Sequence, residues 1–388
     1  MINFSKNQEL RTISLFGATG TIGDNTLSII RSNKDKFELK VVTAGWNVEK
    51  LINICKEFKP RVAAIIDGSK YDYLKQQLSS LDIEVIAGDE ALHEAASVPS
   101  DVAIVGISGM AGLAPTMKLI ETTNVIAIAN KESIVCGGRF LQDKIAKYNR
   151  TLVPVDSEHS ALFQTLEPGS LSEMSSIVLT ASGGPFLNHD LSTLENVSLE
   201  QAIKHPTWRM GKKNSIDSAT MVNKGLEMIE AYYLFPIAID QIKVVIHPES
   251  IIHCFVNFID GTSKALLSNN DMRKSISYGL NYPARLRMET EFDITDYGTL
   301  NFQELNRVRF SIIDVVYEVL RMGGSAPIVF NAVNEEMVDY YIQGRIKFLD
   351  IVRNITKSLD KAKIEKVDSL EHVYEIDQYA RTLAKTFC

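Results

Sequence analysis

Between residues 11 and 155 the chain repeats one beat: a short apolar run, then a helix-like stretch. The runs fall at 13–16, 39–44, 62–66, 83–86, 102–107, 125–129 and 152–155, and most are apolar at every position. A strand with no polar face is covered on both sides, the situation of a parallel sheet whose crossover helices lie on either face. Segments 21–31 and 48–58 carry the helical period. The pattern predicts a doubly wound, Rossmann-like α/β domain over residues 1–150.

Beyond residue 150 the beat changes. Strand-like runs at 176–180, 243–247, 253–258 and 264–267 mix with helical segments, with a hairpin turn at Asp260-Gly261-Thr262. An α+β catalytic domain that holds metal and substrate is expected over 151–285, with a cationic, glycine-containing lid at 204–214. Residues 286–310 are polar and weakly periodic, a linker; from 311 to 388 the helical runs 312–322, 328–342, 348–359 and 373–387 predict a C-terminal helical bundle.

The totals exclude several classes. A net charge of -7 is wrong for a general nucleic-acid surface, which needs a basic footprint. No apolar run is long enough to cross a bilayer, and the first residues, MINFSKNQELR, contain no apolar signal core. Cys55, Cys136, Cys254 and Cys388 are scattered, without metal-ligand spacing, and read as reduced thiols. A cytoplasmic protein is the expectation.

The first run leads into Gly17-Ala18-Thr19-Gly20-Thr21-Ile22-Gly23 and then a helix. Glycines here allow a tight turn and bring backbone N–H groups close to a pyrophosphate at the helix N-terminus. The second strand ends Gly45-Trp46-Asn47 with no carboxylate for a ribose 2′-hydroxyl, which favours a 2′-phosphate and NADPH. Lys50, or the lid cations Arg209, Lys212 and Lys213, are candidate charges for it. Trp46 is a candidate stacking surface for the adenosine end, against the alternative of a plain surface aromatic.

Asp156 and Glu158 follow the seventh run; on extended backbone, residues i and i+2 project to one side. Two such carboxylates suit Mg²⁺ or Mn²⁺, although Asp-x-Glu alone is usually a solvated turn. Glu227 is the candidate third ligand. In a helix expected at 220–234, Val222, Leu226, Ile229 and Tyr233 form an apolar stripe, and Asn223, Lys224 and Glu227 lie beside it. The plain alternative is a surface Lys–Glu pair. Hydroxyls of Ser215, Ser218 and Thr220 precede this helix, where they can cap it or bind phosphate. Ser182-Gly183-Gly184 can turn a hydroxyl and N–H groups toward an anion. Lys131, with Asn130 and Glu132, ends the sixth run on the same functional edge. His205 opens the lid; His247 and His253 flank a strand–loop.

GATGTIG, ANKESIVCGG, PVDSEHSALFQ, LTASGGPF, HPTWRMGKKNSIDSATMVNKGLEMIEA, IHPESIIH and DMRKSI occur in this order over nearly the whole chain. In these motifs the chain resembles the 1-deoxy-D-xylulose 5-phosphate reductoisomerases. The resemblance implies a homodimer acting in isoprenoid precursor biosynthesis, with a nucleotide-binding domain, a catalytic domain and a helical C-terminus. It implies retro-aldol/aldol isomerisation of 1-deoxy-D-xylulose 5-phosphate, then NADPH reduction to 2-C-methyl-D-erythritol 4-phosphate. It assigns Asp156, Glu158 and Glu227 to the metal, and Ser182, Ser218, Asn223, Lys224 and His205 to the substrate phosphate. Ser157 and Lys131 fall beside the reacting carbons, and Trp208 and Met210 in the closing lid. Cofactor contacts fall on Gly17, Thr19, Gly20, Thr21, Ile22, Gly23, Gly45, Trp46, Asn47, Asn130, Glu132 and Gly211. Many members carry Lys at the Trp46 position and Gly at Ala181. Two rival readings stay in view: an NADPH-dependent reductase of another phosphorylated aldehyde, and a non-catalytic NADPH sensor.

Overall fold

In the computed structural model, which describes residues 10–166, 171–208 and 210–387, all seven apolar runs are strands. They are β1 (Arg11–Phe16), β2 (Phe37–Ala44), β3 (Val62–Ile65), β4 (Glu84–Ala87), β5 (Ser100–Val105), β6 (Thr123–Ile128) and β7 (Thr151–Pro154). They form one parallel sheet in the order β4-β3-β2-β1-β5-β6-β7. The strand order reverses between β1 and β5, and such a switch point opens a crevice at the carboxyl ends of the strands. Four more strands, β8 (Met174–Ala181), β9 (Ile242–Ile246), β10 (Ile252–Phe258) and β11 (Ser263–Leu267), form a mixed sheet in the order β11-β10-β8-β9.

The helices are α1 (Thr21–Ser32), α2 (Val48–Phe58), α3 (Tyr71–Gln77), α4 (Ala91–Ala96), α5 (Leu113–Thr122), α6 (Lys131–Tyr148), α7 (Ser157–Thr165), α8 (Leu199–Ala202), α9 (Lys212–Thr220) and α10 (Val222–Leu234). They continue with α11 (Arg273–Asn281), α12 (Ile312–Met322), α13 (Ala326–Ile342), α14 (Phe348–Lys361) and α15 (Leu370–Ala384). No helix among the described residues is long and apolar enough to cross a membrane. Arg209 and Cys388 lie outside the described residues; Cys55, Cys136 and Cys254 are free and buried.

The chain divides into two units, but not at the contiguous boundaries its sequence suggests. The first comprises Met1–Asn130, Lys144–Asp156 and Met272–Met288; the second comprises Lys131–Asp143, Ser157–Asp271 and Glu289–Cys388. Helix α11 belongs to the parallel-sheet unit because Ile276 and Leu280 are buried in its core, with Gly279 set against Ala127. The beginning of α6 belongs to the second unit, and the chain kinks at Gly138, where φ is +41°. The C-terminal helices α12–α15 share the second unit with the small sheet. Linear reading missed this because a return excursion has the same composition as the domain it leaves.

Two local expectations also change. The segment 215–220 is a helix of its own rather than a cap, and Met221 in the left-handed region (φ +64°) separates α9 from α10. Glu158 lies in the first turn of α7, not on extended backbone, so the alternation argument for Asp156 and Glu158 does not apply.

Candidate active site

In the first unit, the glycine loop joins β1 to α1 in the predicted way. Gly17 has φ +85°, and a Cβ there would come within 2.7 Å of the Gly106 carbonyl oxygen at the end of β5. Only glycine fits a left-handed turn pressed against a neighbouring strand. Gly20 caps α1 without a side-chain hydrogen bond, leaving the first-turn N–H groups of Thr21 and Ile22 to an anion. Thr19 and Ile22 are half-buried, and Gly23 is buried against Ala18. At the end of β2, Gly45 is half-buried, Trp46 is 73% exposed, and Asn47 caps α2 by accepting from the Lys50 N–H at 3.0 Å. The Lys50 ammonium donates to the Thr19 carbonyl at 3.0 Å and to Asp24 at 2.7 Å, so this cation sits against the glycine loop. Asn130 donates to the Gly109 carbonyl at 3.0 Å. A glycine turn, an open helix N-terminus and a β2 end without acid fit a dinucleotide with a 2′-phosphate.

The second unit carries a buried charge centre. Helix α10 buries Lys224, Glu227 and Glu230 together with Leu226, Met228 and Ile229, so the surface Lys–Glu pair is excluded. Lys224 donates to Glu158 at 2.6 Å and also to Glu227. Lys131, at the start of α6, donates to Asn223 at 2.8 Å and to Glu227 at 3.1 Å. Asn223 donates to Glu227 as well, and the Ser157 hydroxyl donates to Glu158 at 2.5 Å. Burial alone would raise the Glu158 pKa, but the Lys224 ammonium and the Ser157 hydroxyl hold it well below the usual carboxylate range. Burial would likewise lower the Lys224 pKa, and Glu158 and Glu227 raise it above its ordinary value. Both groups are therefore charged at neutral pH.

One ligand oxygen from each of Asp156, Glu158 and Glu227 lies within 4.8 Å of the others. Asp156 is peptide-bonded to Ser157, so the single turn between them sets its distance from Glu158. Opposite ligands on an octahedral Mg²⁺ stand about 4.2 Å apart. Three hard oxygen donors at this spacing fit such a cation after small side-chain movements.

Ser182 and His205 form the other pole of the second unit. His205 Nδ1 accepts the N–H groups of Thr207 at 3.2 Å and Trp208 at 2.9 Å, so Nε2 carries the proton and donates to the Ser182 hydroxyl at 3.0 Å. Burial pushes the His205 pKa down to about 4, which keeps the ring neutral. Ser182 Oγ also accepts the Gly184 N–H at 3.1 Å. Gly184 has φ +68°, and a Cβ there would come within 2.9 Å of the Ser218 carbonyl oxygen. The Ser-Gly-Gly turn therefore packs directly on the α9 residues that carry Ser218. Trp208 stands 6.2 Å from His253, ring centroid to centroid. Met210 is half-buried, and exposed Gly211 caps α9.

Several residues take unexpected places. Lys213, expected as a lid cation, donates to Asp217 at 2.7 Å and to Glu132 at 3.1 Å. Lys224 lies on the carboxylates, a position its place in sequence does not reveal. His247 is structural: Nδ1 donates to the Asn301 carbonyl at 2.8 Å, and Nε2 accepts the N–H groups of Ile251 and Ile252. His159 and Glu230 were not singled out in the sequence. His159 Nε2 donates to the Glu227 carbonyl at 2.8 Å, and its Nδ1 stands 3.3 Å from Glu230. The available signal was Glu230 three residues after Glu227, on the same side of a helix.

A doubly wound nucleotide-type sheet in one unit and a carboxylate–lysine centre in the other are the parts that a metal-assisted, dinucleotide-dependent oxidoreductase requires. Three family models match: 1-deoxy-D-xylulose 5-phosphate reductoisomerase over residues 13–138, and two C-terminal domains of that enzyme over 152–235 and 267–383. A 1-deoxy-D-xylulose 5-phosphate reductoisomerase of Geobacillus sp. (strain WCH70) is 41% identical over 97% of this chain and 100% of its own length. That of Bacillus pumilus (strain SAFR-032) is 42% identical over 97% and 99%. The solved Zymomonas mobilis reductoisomerase, in complex with NADPH, superimposes with a TM-score of 0.92 at 38% identity, covering 97% of this chain and 99% of that one. A second, in complex with NADPH, fosmidomycin and magnesium, gives 0.91 at 34% identity, covering 97% and 98%. The chain belongs to the 1-deoxy-D-xylulose 5-phosphate reductoisomerase family.

Proposed function

We propose that this chain isomerises 1-deoxy-D-xylulose 5-phosphate and reduces the product with NADPH to 2-C-methyl-D-erythritol 4-phosphate, at a centre built from Asp156, Glu158 and Glu227. The observation that carries the reading is the convergence of these three carboxylates within 4.8 Å, two of them held by lysines. A simple reductase has no need of such a set. A divalent cation there would supply Lewis-acid polarisation of substrate oxygens, and NADPH would supply the hydride.

The chain's own residues do the rest. Lys131 and Lys224 compensate the carboxylate charge, so the centre keeps its form without water. Ser182, His205 and Ser218 offer hydroxyls and a ring N–H to the substrate phosphate; Asn223 and Lys224, which the family resemblance also assigns to it, bond Glu227 and Glu158 in this structure and would turn to the phosphate when substrate binds. Because His205 is neutral, it gives a phosphate a hydrogen bond without a full charge. Holding the phosphate at one pole and the reacting oxygens at the other keeps both carbon fragments in place while the C3–C4 bond breaks and the C2–C4 bond forms. Trp208 and Met210 exclude water when the lid closes. In the first unit, residues 17–23 receive the pyrophosphate, and residues 45–47 with Lys50 receive the adenosine end. Asn130, at the end of β6, is a further cofactor contact in this unit; Glu132 and Gly211 are cofactor positions by the family resemblance.

The working form is a cytoplasmic homodimer. Three buried free thiols suit a reducing compartment, and edge strand β11, next to exposed Ile259, is open to a second copy. Sedimentation at micromolar concentration checks the dimer; a monomer there would reject it.

The test of the reaction mixes metal-stripped protein with 1-deoxy-D-xylulose 5-phosphate and NADPH and follows nicotinamide absorbance before and after Mn²⁺. Oxidation should begin only with the metal. Oxidation at full rate without it would reject the three-carboxylate centre as the seat of the chemistry.

A further inference from the structure

A second buried polar network lies in the second unit, apart from Glu158 and Glu227. Asp217, 1% exposed, accepts from the Lys213 ammonium at 2.7 Å through one oxygen and from the Asn334 amide at 2.9 Å through the other. Lys213 continues to Glu132 at 3.1 Å. Three elements meet here: α9 supplies Lys213 and Asp217, α13 supplies the fully buried Asn334, and the first turn of α6 supplies Glu132. One residue earlier, Lys131 reaches Asn223 and Glu227. On the far side, the neighbouring Glu335 is held by Arg381 of α15 at 2.6 Å, and Arg381 is also held by Asp377 at 2.7 Å.

Apolar side chains would pack these helices at lower cost, since each buried ion loses several kcal/mol of hydration before its partner restores it. What the charges add is direction. An ammonium between two carboxylates has one place to sit, and a carboxylate fixed by that ammonium has one orientation. Glu132 lies a single peptide from Lys131, so its orientation sets where the Lys131 ammonium can reach. Burial would raise the Glu132 pKa, yet Lys213 holds it below its ordinary value, so the carboxylate stays charged and the link stays made.

We infer that Asp217 and Asn334 are positioning residues for the reaction: they fix Lys213 on Glu132, and through it the start of α6 from which Lys131 reaches Glu227 and Asn223. The C-terminal helices thereby add a polar hold on the carboxylate centre to the apolar packing of Val316 and Phe330 against α10 at Gly225. The inference deepens the function proposed above and rests on that reading.

The test is a double-mutant cycle on the metal-loaded enzyme with Asn334→Leu, Lys213→Met and the pair. Each single change should lower kcat/KM about tenfold or more, and the pair should be no worse than the weaker single variant, because both act through one link. Hydrogen exchange, which needs no turnover, should quicken in Asn334→Leu at residues 133–136 and 215–220 and stay unchanged in β8 and β10. Losses that multiply in the pair would overturn the inference, as would an unaltered kcat/KM beside a lowered Tm. Should Asn334→Leu fail to fold, Asp217→Asn enters the same cycle in its place. A wild-type enzyme without turnover would reject the proposed function alone; unchanged exchange at residues 133–136 would then still overturn the positioning role.

Discussion

The two units solve ligand recognition by opposite means. In the first, backbone shape does the selecting: a left-handed glycine, an uncapped helix start, and a strand end without acid. Side-chain charge is sparse there, and the nearest cation, Lys50, is already tied to Asp24. In the second, charge does the selecting, with two lysines compensating Glu158 and Glu227 in a buried centre. A backbone device fails by steric exclusion, whereas a charge device fails by losing its balance.

The largest effect should come from unbalancing the second unit. Glu227→Gln keeps the shape and removes one charge from the set that meets both lysines. Turnover should fall by about 100- to 1000-fold, the range for loss of one strong electrostatic group, with circular dichroism unchanged. A rate near wild type would remove Glu227 from the metal shell. In the first unit, Gly17→Ala must bear the left-handed penalty of roughly 1–2 kcal/mol plus the approach to Gly106, so NADPH affinity should drop about tenfold or more by fluorescence titration. Unchanged affinity would show that the turn does not shape the cofactor site.

Lys224→Ala sharpens the contrast from a different side. It should raise KM for the phosphorylated substrate about tenfold while tightening Mg²⁺ binding, because a competing cation has left the carboxylates. Calorimetry showing weaker Mg²⁺ binding would contradict the charge-balance account. Trp46→Lys should change only preference: the NADPH-to-NADH ratio of kcat/KM should rise a few-fold, as one exposed cation near a phosphate contributes on the order of 1 kcal/mol. An unaltered ratio would place Trp46 away from the 2′-phosphate.

The smallest effect concerns His205. Its folded pKa, about 4, lies below the unfolded value of about 6.5, so the unfolded chain binds more protons between them. Stability from this group is therefore fully present above about pH 6.5 and is lost as pH falls toward about 4. Urea denaturation across this window should show a shallower decline for His205→Gln than for the wild type; identical slopes would assign the pH dependence to other groups.

Much of this was legible in one dimension, for reasons that differ by element. Most of the seven strands carry their environment in their composition: β3 is apolar and buried throughout, whereas edge strand β4, with exposed Glu84, and β2, with exposed Glu38, keep polar positions. The glycine loop is legible because its demand is local: a turn of fixed length between strand and helix. Motif and spacing mark Asp156, Glu158 and Glu227 as candidates, but strand alternation is not what groups the first two. Their oxygens come together through the turn into α7, not through strand alternation.

The sequence by itself determined the element order, the nucleotide-type turn and the family, and it marked Asp156, Glu158 and Glu227 as candidates. Those are properties of local pattern and of motifs read in order. Only the tertiary structure decided that α10 is buried on its charged side, that Lys224 and Lys131 lie on the carboxylates, and that Lys213 serves a network with Asp217, Glu132 and Asn334. These ionic partners are chosen by proximity in space across 66 to 96 residues of chain, and no local pattern carries the distance between groups so far apart.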